Sequence, residues 1–506
     1  MAATTGRRAA LAHRPADARV LDLGNATLIP GLTDAHTHFF YWALQRTLTI
    51  DLTAVPSRAA AIRRVAASRR AVGDWVLGQG FDANTWTDGP PSAAILDAAV
   101  PDRPALFYSR DWHSAWLNTA ALRRAGISAR TPDPADGVIV RDARGRPTGI
   151  LRENAIKLVP DPLRELARRT DGAAISLIDR ALDGAERAAR ALGIVGVHSM
   201  DDGPSLWHLE RRHRDGRLGI RVTHAVPLDR LDDALRLGLR SGLGDDWLRI
   251  GGLKIFSDGS LGSQTAYMFT PYPGRGRYCG VPVVTGAVLR EVAQRAVEHG
   301  MALWVHAIGD RAACEVIDAV AATRTLPRPP MPHRIEHAQC VRARDIRRMA
   351  RLGIVASVQP CHIIGDIATA DRHWPAARRH AFPLAEMAAA GVTLALGSDV
   401  PVESIDPRRS LYGAVCRQDE HGEPRGGWFP DQRLSVRQAL AAFTQGPAQS
   451  LGSNALHGTL RPGAPADMTV CLDDPFECDG DALLHARILG VIVGGRPCLA
   501  GAPTAR

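Results

Sequence analysis

"LRIGGLKIFSDG", residues 248–259, is an apolar run that stops abruptly in polar residues. A strand buried on both faces reads this way, and such strands belong to parallel sheets or barrels covered by helices. Seven other short runs end likewise: "GLTDAHTHF" (31–39), "GIVGVHSMD" (193–201), "RVTHAV" (221–226), "ALWVHAIGD" (302–310), "HRIEHAQ" (333–339), "IVASVQP" (354–360) and "VTLALGSDVP" (392–401). Between them lie helix-period stretches at 174–192, 205–214, 229–239, 287–299, 310–323, 341–352 and 383–390. Eight strands alternating with helices specify an α/β fold, a (β/α)8 TIM barrel, whose chemistry gathers at the C-terminal strand ends. The polar residues of these runs fall at those ends.

The 506 residues exceed what one barrel needs, so further modules are expected. Residues 31–450 are assigned to the barrel, and about 52–170 to an insertion subdomain after the first strand, lying over the active-site face. Residues 1–30 and 451–506, rich in Gly and Pro breaks, are expected to supply the two parts of a small β-sandwich.

A formal charge of +9 raises the question of nucleic acid. The arginines cluster in helix-like stretches such as "AIRRVAASRR" (61–70) and "RARDIRRMARLG" (342–353), and no basic run carries interleaved stacking aromatics. Solvated helix faces account for them, so the expected partner is a small-molecule substrate, not nucleic acid. No apolar run reaches the length of about 18 residues that a membrane span requires. The start, "MAATTGRRAALAHRPADARV", lacks the apolar segment of a secretory signal, so the expected address is cytoplasmic. Eight cysteines without CxxC spacing favour reduced thiols over disulfides or a zinc ribbon. A homodimer is the assembly envisaged.

"DAHTH" places His36 and His38 two apart at the end of the first strand. Alternate strand residues face the same way, so both imidazoles can reach one ion. His306 ends the fifth strand, His337 the sixth and Asp399 the eighth, which makes a shared metal centre the economical reading.

Lys254 adds a different chemistry. The chain has 62 lysines plus arginines, of which only Lys157 and Lys254 are lysine. A neutral amine can react with CO2 to form a carbamate, a carboxylate able to bridge two cations, and burial favours the neutral form. Arginine stays charged and cannot do this. The competing structural reading pairs Lys254 with Asp258 or another carboxylate.

"LIPGLTDAHTH", "LKIFSDGSLGSQTA", "VHAIGDRA", "HRIEHAQ", "VASVQP" and "LALGSDVPV" resemble, in order, the motifs of the amidohydrolase superfamily, and within it the amidohydrolase-3 group that includes the N-substituted formamide deformylases. "GQGFD" and "RDWHSAWLN" are similar to that group's insertion. The resemblance implies His36, His38 and Asp399 on a more buried metal, His306 and His337 on a more exposed one, and carbamylated Lys254 bridging both. Zinc, one or two ions, suits N/O ligands with an open water position. The implied reaction is hydrolysis of an amide or formamide-type C–N bond by metal-activated hydroxide, with Asp399 carrying the proton. Trp86, Trp112, His113 and His198 are candidate substrate contacts.

The same centre would also suit a cyclic amidohydrolase, a deaminase, or a phosphoester or ester hydrolase, and an inactive ligand-binding barrel is the alternative outside enzymes. Two departures stand out: Gln264 replaces the arginine of the group's GSLGSRTA pattern, and only about 30 residues precede the first strand, so a truncated N-terminal part of the β-sandwich is expected.

Overall fold

β4, Leu248–Phe256, is the strand of the opening run, and all but its second and last residues are buried. It belongs to an eight-stranded parallel sheet with β1 (Leu32–Thr37), β2 (Ile194–Ser199), β3 (Arg221–Pro227), β5 (Leu303–Ala307), β6 (Arg334–His337), β7 (Val355–Val358) and β8 (Leu394–Leu396), each paired with its sequence neighbour. This computed structural model describes residues 20–110, 114–135, 137–452 and 457–500.

The two-residue period divides the strands' chemistry. Leu253, Ile255, Leu303, Val305 and Ile335 join the core formed with the surrounding helices. Lys254, Trp304, His306, Arg334 and Glu336 alternate with them and so share the inward face, where Lys254 is in register with Trp304 and His306 with Glu336. Gly251 and Gly252 make room for this layer, because a Cβ on either would come within 2.4 Å of the Trp304 ring. The glycine pair of the opening run thus accommodates a fully buried indole.

β8 and β1 close the barrel without a full ladder. A parallel bridge joins Thr37 to Val400, His38 N–H donates to the Val400 carbonyl at 2.8 Å, and Asp399 N–H donates to the His36 carbonyl at 2.8 Å. The seam is therefore made by the backbone of His36, His38 and Asp399 themselves.

The chain divides into two compact units, Met1–Phe39 with Glu186–Arg506, and Phe40–Ala185. In the first, Thr27–Pro30 pairs antiparallel with Met468–Cys471, followed by Ile488–Val493 and Arg496–Leu499. Among the described residues this terminal module is a single four-stranded sheet. It is tied to the barrel by Thr469, whose hydroxyl donates to the Gly193 carbonyl at 2.6 Å and accepts from Leu32 N–H at 3.1 Å.

The second unit is wider than the inserted segment read from sequence, taking in most of the helices Phe39–Leu48 and Gly172–Ala191. It carries a six-stranded mixed sheet, with Ile50–Asp51, Val76–Phe81 and Ala105–Ser109 parallel and the rest antiparallel. Its core is aromatic: Trp86 and Trp116 meet edge to face with ring centres 5.9 Å apart, and Phe81 packs against both.

No helix among the described residues is long and apolar enough to cross a membrane. All eight cysteines are free, and burial pushes the Cys340 and Cys361 thiols well up, as small core residues rather than nucleophiles.

Candidate metal centre

His36 and His38 extend from the end of β1, and Asp399 follows β8. His36 Nε2 lies 3.4 Å from Asp399 Oδ1 and His38 Nε2 lies 3.6 Å from the same oxygen. Two donors bound tetrahedrally to one ion, each about 2.1 Å from it, are separated by about 3.4 Å. The spacing of this trio is thus that of co-ligands, and their donor atoms fall within 4.8 Å of one another.

Hydrogen bonds set which nitrogen each histidine can offer. His36 Nδ1 is 2.7 Å from Glu336 Oε2, and because a carboxylate only accepts, Nδ1–H donates and Nε2 is the nitrogen turned toward Asp399. His306 is arranged oppositely. Its Nε2 donates to the Gly259 carbonyl at 3.0 Å, leaving Nδ1 as the acceptor, buried and without a partner among the described residues. Burial, with Lys254 next, pulls the His306 imidazole down to about 3, and burial followed by His306 and His36 holds His337 well below its ordinary value. Both rings are neutral, the form that binds a metal.

His337 would face outward by strict alternation from Ile335, but the backbone changes hand there. His337 has φ +71° and Ala338 φ +42°, a left-handed conformation uncommon for non-glycine residues. Its ring lies 4.5 Å from that of His306 and 4.8 Å from that of His36. Asp399 shows the same feature, φ +61°.

Lys254 is 3% exposed. Its Nζ has no hydrogen-bond partner among the described residues, and sits 4.8 Å from the centre of the Phe256 ring. Burial lowers the amine to about 8, against the opposing pull of Glu336 and Asp399. Asp258 does not pair with it. That carboxylate accepts the backbone N–H groups of Ile308, Gly309 and Tyr267 at 3.0, 2.8 and 2.9 Å, and burial raises it to about 7.

Beneath these groups lies a charged floor. Arg334 and Glu336 are fully buried, with Nε 2.8 Å from Oε1. Arg334 also donates to the Ala35 carbonyl and the Ser357 hydroxyl at 2.6 and 2.7 Å, and stacks 4.1 Å over Trp304. Burial is the largest influence on Glu336 and acts upward, but Arg334 and His36 outweigh it and hold the carboxyl far below its usual range. Glu336 is therefore an anion that fixes His36, and Arg334 fixes Glu336.

The sequence candidates separate accordingly. His36, His38, His337 and Asp399 are brought together, His306 lies against His337, and Lys254 is close enough to act on both His306 and His337; His306 and Lys254 contribute the orphaned atoms. His198 lies in the floor: its Nδ1 accepts from Arg334 at 2.8 Å and its ring stacks on Trp304. Trp86 belongs to the core of the second unit, 7% exposed, with Nε1 donating to the Val55 carbonyl at 3.1 Å. Both side chains are held by packing and by hydrogen bonds within the protein. Trp112 and His113 lie outside the described residues. Gln264, at the arginine position of the pattern, accepts from Arg275 Nε at 3.2 Å, so a guanidinium approaches from 11 residues further along.

Three site residues escaped the sequence reading. Arg334 and Glu336 stood in view as the alternating charges of "HRIEHAQ". His362 follows "VASVQP" by two residues, on the first turn of the helix Cys361–His373, with Nε2 3.6 Å from Asp399 Oδ2. Its place on a helix, two residues past the apolar run, carries no strand-end signal in the sequence.

A (β/α)8 barrel with histidine and aspartate donors grouped at its C-terminal strand ends defines a metal-dependent hydrolase type of site. The amidohydrolase family model, Amidohydro_3, matches residues 19–498, and the chain belongs to that family. It is similar to the Bacillus subtilis (strain 168) protein YtcJ, with 30% identity over 94% of this chain and 89% of the relative. It is also similar to the N-substituted formamide deformylase of Arthrobacter pascens, with 28% identity over 95% of this chain and 89% of that protein. Among solved structures, a metal-dependent hydrolase from Pyrococcus horikoshii OT3 aligns with a TM-score of 0.77 and 26% identity, covering 91% of this chain and 88% of that one.

Proposed function

We propose that this hydrolase cleaves non-peptide C–N bonds, with N-formyl or N-acyl amines as its substrate class. One observation carries the reading: two buried donors, Lys254 Nζ and His306 Nδ1, are left unpaired beside donors already at co-ligand spacing. An unpaired buried polar group costs on the order of 1–3 kcal/mol, so a native barrel keeps two of them together for a ligand. The Arthrobacter pascens relative supports the formamide side of the class.

A divalent ion, zinc by its preference for N/O donors, would be held by His36, His38 and Asp399, with His306, His337 and Lys254 offering a second position; it supplies Lewis acidity and acidifies water. Lys254 enters as a carbamate: its neutral Nζ attacks CO2, one N–C bond forms, one proton leaves, and a carboxylate replaces the amine. Glu336 orients His36 through Nδ1. Asp399 is ionised, since His36 and His362 outweigh the upward push of burial on its carboxyl. It accepts the proton of the attacking water and returns it to the departing nitrogen, so amine and acid leave neutralised or solvated without a serine or cysteine nucleophile.

The test is a screen of metal-loaded protein against N-formyl and N-acyl amines, with hydantoins, dihydropyrimidines, aminopurines and phosphoesters in parallel. Turnover confined to linear amides supports the class; turnover confined to the cyclic substrates or phosphoesters refutes it.

A further inference from the structure

We infer that His362 is an additional metal ligand, joining His337 and the second carboxylate oxygen of Asp399 around a second cation position. The inference rests on the metal-centre reading above and goes beyond its donor set.

The two oxygens of Asp399 have different neighbours. Oδ1 faces His36 Nε2 and His38 Nε2 at 3.4 and 3.6 Å. Oδ2 faces His362 Nε2 at 3.6 Å. That last separation is too long for a hydrogen bond and repeats the co-ligand spacing of about 3.4 Å expected for one tetrahedral ion. Donor atoms of His337, His362 and Asp399 all lie within 4.8 Å of one another, a second trio sharing only Asp399 with the first.

The fold explains how β7, which offers no ligand from its own residues, contributes one. Val355–Val358 ends in Gln359 and Pro360, and the helix Cys361–His373 starts at once. His362 is thereby brought beside Asp399 at the end of the neighbouring strand. One turn on, Asp366 accepts from Gln339 Nε2 at 2.9 Å; against burial, Asp399 first and then Asp366 and Glu403 push the His362 ring up to about 9, so a cation bound there would displace the ring's proton. Negative charge on that side favours a cation. Each trio has one partly exposed histidine, His38 at 30% and His362 at 15%, so an ion at either position can be reached from outside.

The experiment compares wild type, His362→Ala and His362→Asn after removal of metal and reloading with Co2+ in bicarbonate buffer, with circular dichroism to establish folding. Cobalt stoichiometry and the visible d–d spectrum are read. The expected result is a normal site in wild type and, in both folded variants, a weakened or lost second equivalent with an altered spectrum. Variants that keep wild-type stoichiometry, affinity and spectrum overturn the ligand assignment, even if their activity falls, and leave His362 as a substrate-facing group. A wild type that binds no cobalt at all refutes the underlying metal-centre reading instead.

Discussion

The two ends of the barrel handle polar groups in opposite ways. At the N-terminal strand ends a partly open cleft lies among Thr33, Arg221, Arg249, Pro447 and Asp467. Its charges are matched: Arg221 grips both oxygens of Asp467 at 2.5 and 3.1 Å, and Arg249 reaches Asp246 at 3.0 Å. None of its lining side chains has a buried polar atom without a partner among the described residues. At the C-terminal ends Lys254 Nζ and His306 Nδ1 are both orphaned. Unpaired donors, not empty volume, mark where a ligand belongs, and they fall on the face where barrels carry chemistry. The base, by the same rule, is built for stability.

That contrast can be broken most severely at Lys254. Lys254→Arg keeps the charge but cannot form a carbamate, so activity is expected to fall to background and the second metal equivalent to disappear, as read by turnover and metal analysis. Full activity in this variant removes the carbamate.

Glu336→Gln attacks the floor that supports the mouth. It leaves the Arg334 guanidinium buried without its counter-charge, which should cost about 3–5 kcal/mol in urea unfolding. Replacing the charged acceptor that orients His36 by a neutral amide should also weaken metal binding by about 10- to 100-fold. Stability loss with unchanged metal affinity would separate the floor from the site.

At the base, Asp467→Ala should lower stability by about 1–3 kcal/mol, the range for a charged hydrogen bond, while metal content stays at the wild-type level. Altered metal content there would erase the distinction between the ends.

The pH response follows from the amine of Lys254, lowered to about 8. Carbamate formation needs the neutral form, whose fraction rises as pH rises through that value. At constant dissolved CO2, metal loading should therefore be about tenfold faster at pH 9 than at pH 7; a flat or falling profile contradicts the sign. The smallest effect is expected at the other lysine. Lys157 is exposed on a short 3-10 turn of the second unit, and Lys157→Arg should stay within about 0.5 kcal/mol of wild type, with activity unchanged.

These comparisons also show what was legible in the sequence. The barrel strands were readable because burial on both faces gives short apolar runs; seven of the eight lie inside their runs, and β3 extends one residue beyond its run, to Pro227. The proximity of His36, His38, His306, His337 and Asp399 was readable because strand ends converge in a barrel. Tertiary context decided the rest. Trp86 and His198 looked like contacts by residue type, yet one fills an aromatic core and the other accepts from a buried arginine. The left-handed backbone at His337 and Asp399, which re-aims both side chains, leaves no mark on composition. His362 required knowing that a helix begins directly after β7 and turns toward Asp399.

The central claim is that the orphaned donors at the mouth exist to bind metal, and the most direct measurement is quantitative metal analysis of the wild-type protein, purified without chelator and shown to be folded. One or two equivalents of a divalent ion, zinc foremost, are predicted; a folded protein that carries none and takes up none in bicarbonate buffer would contradict the account.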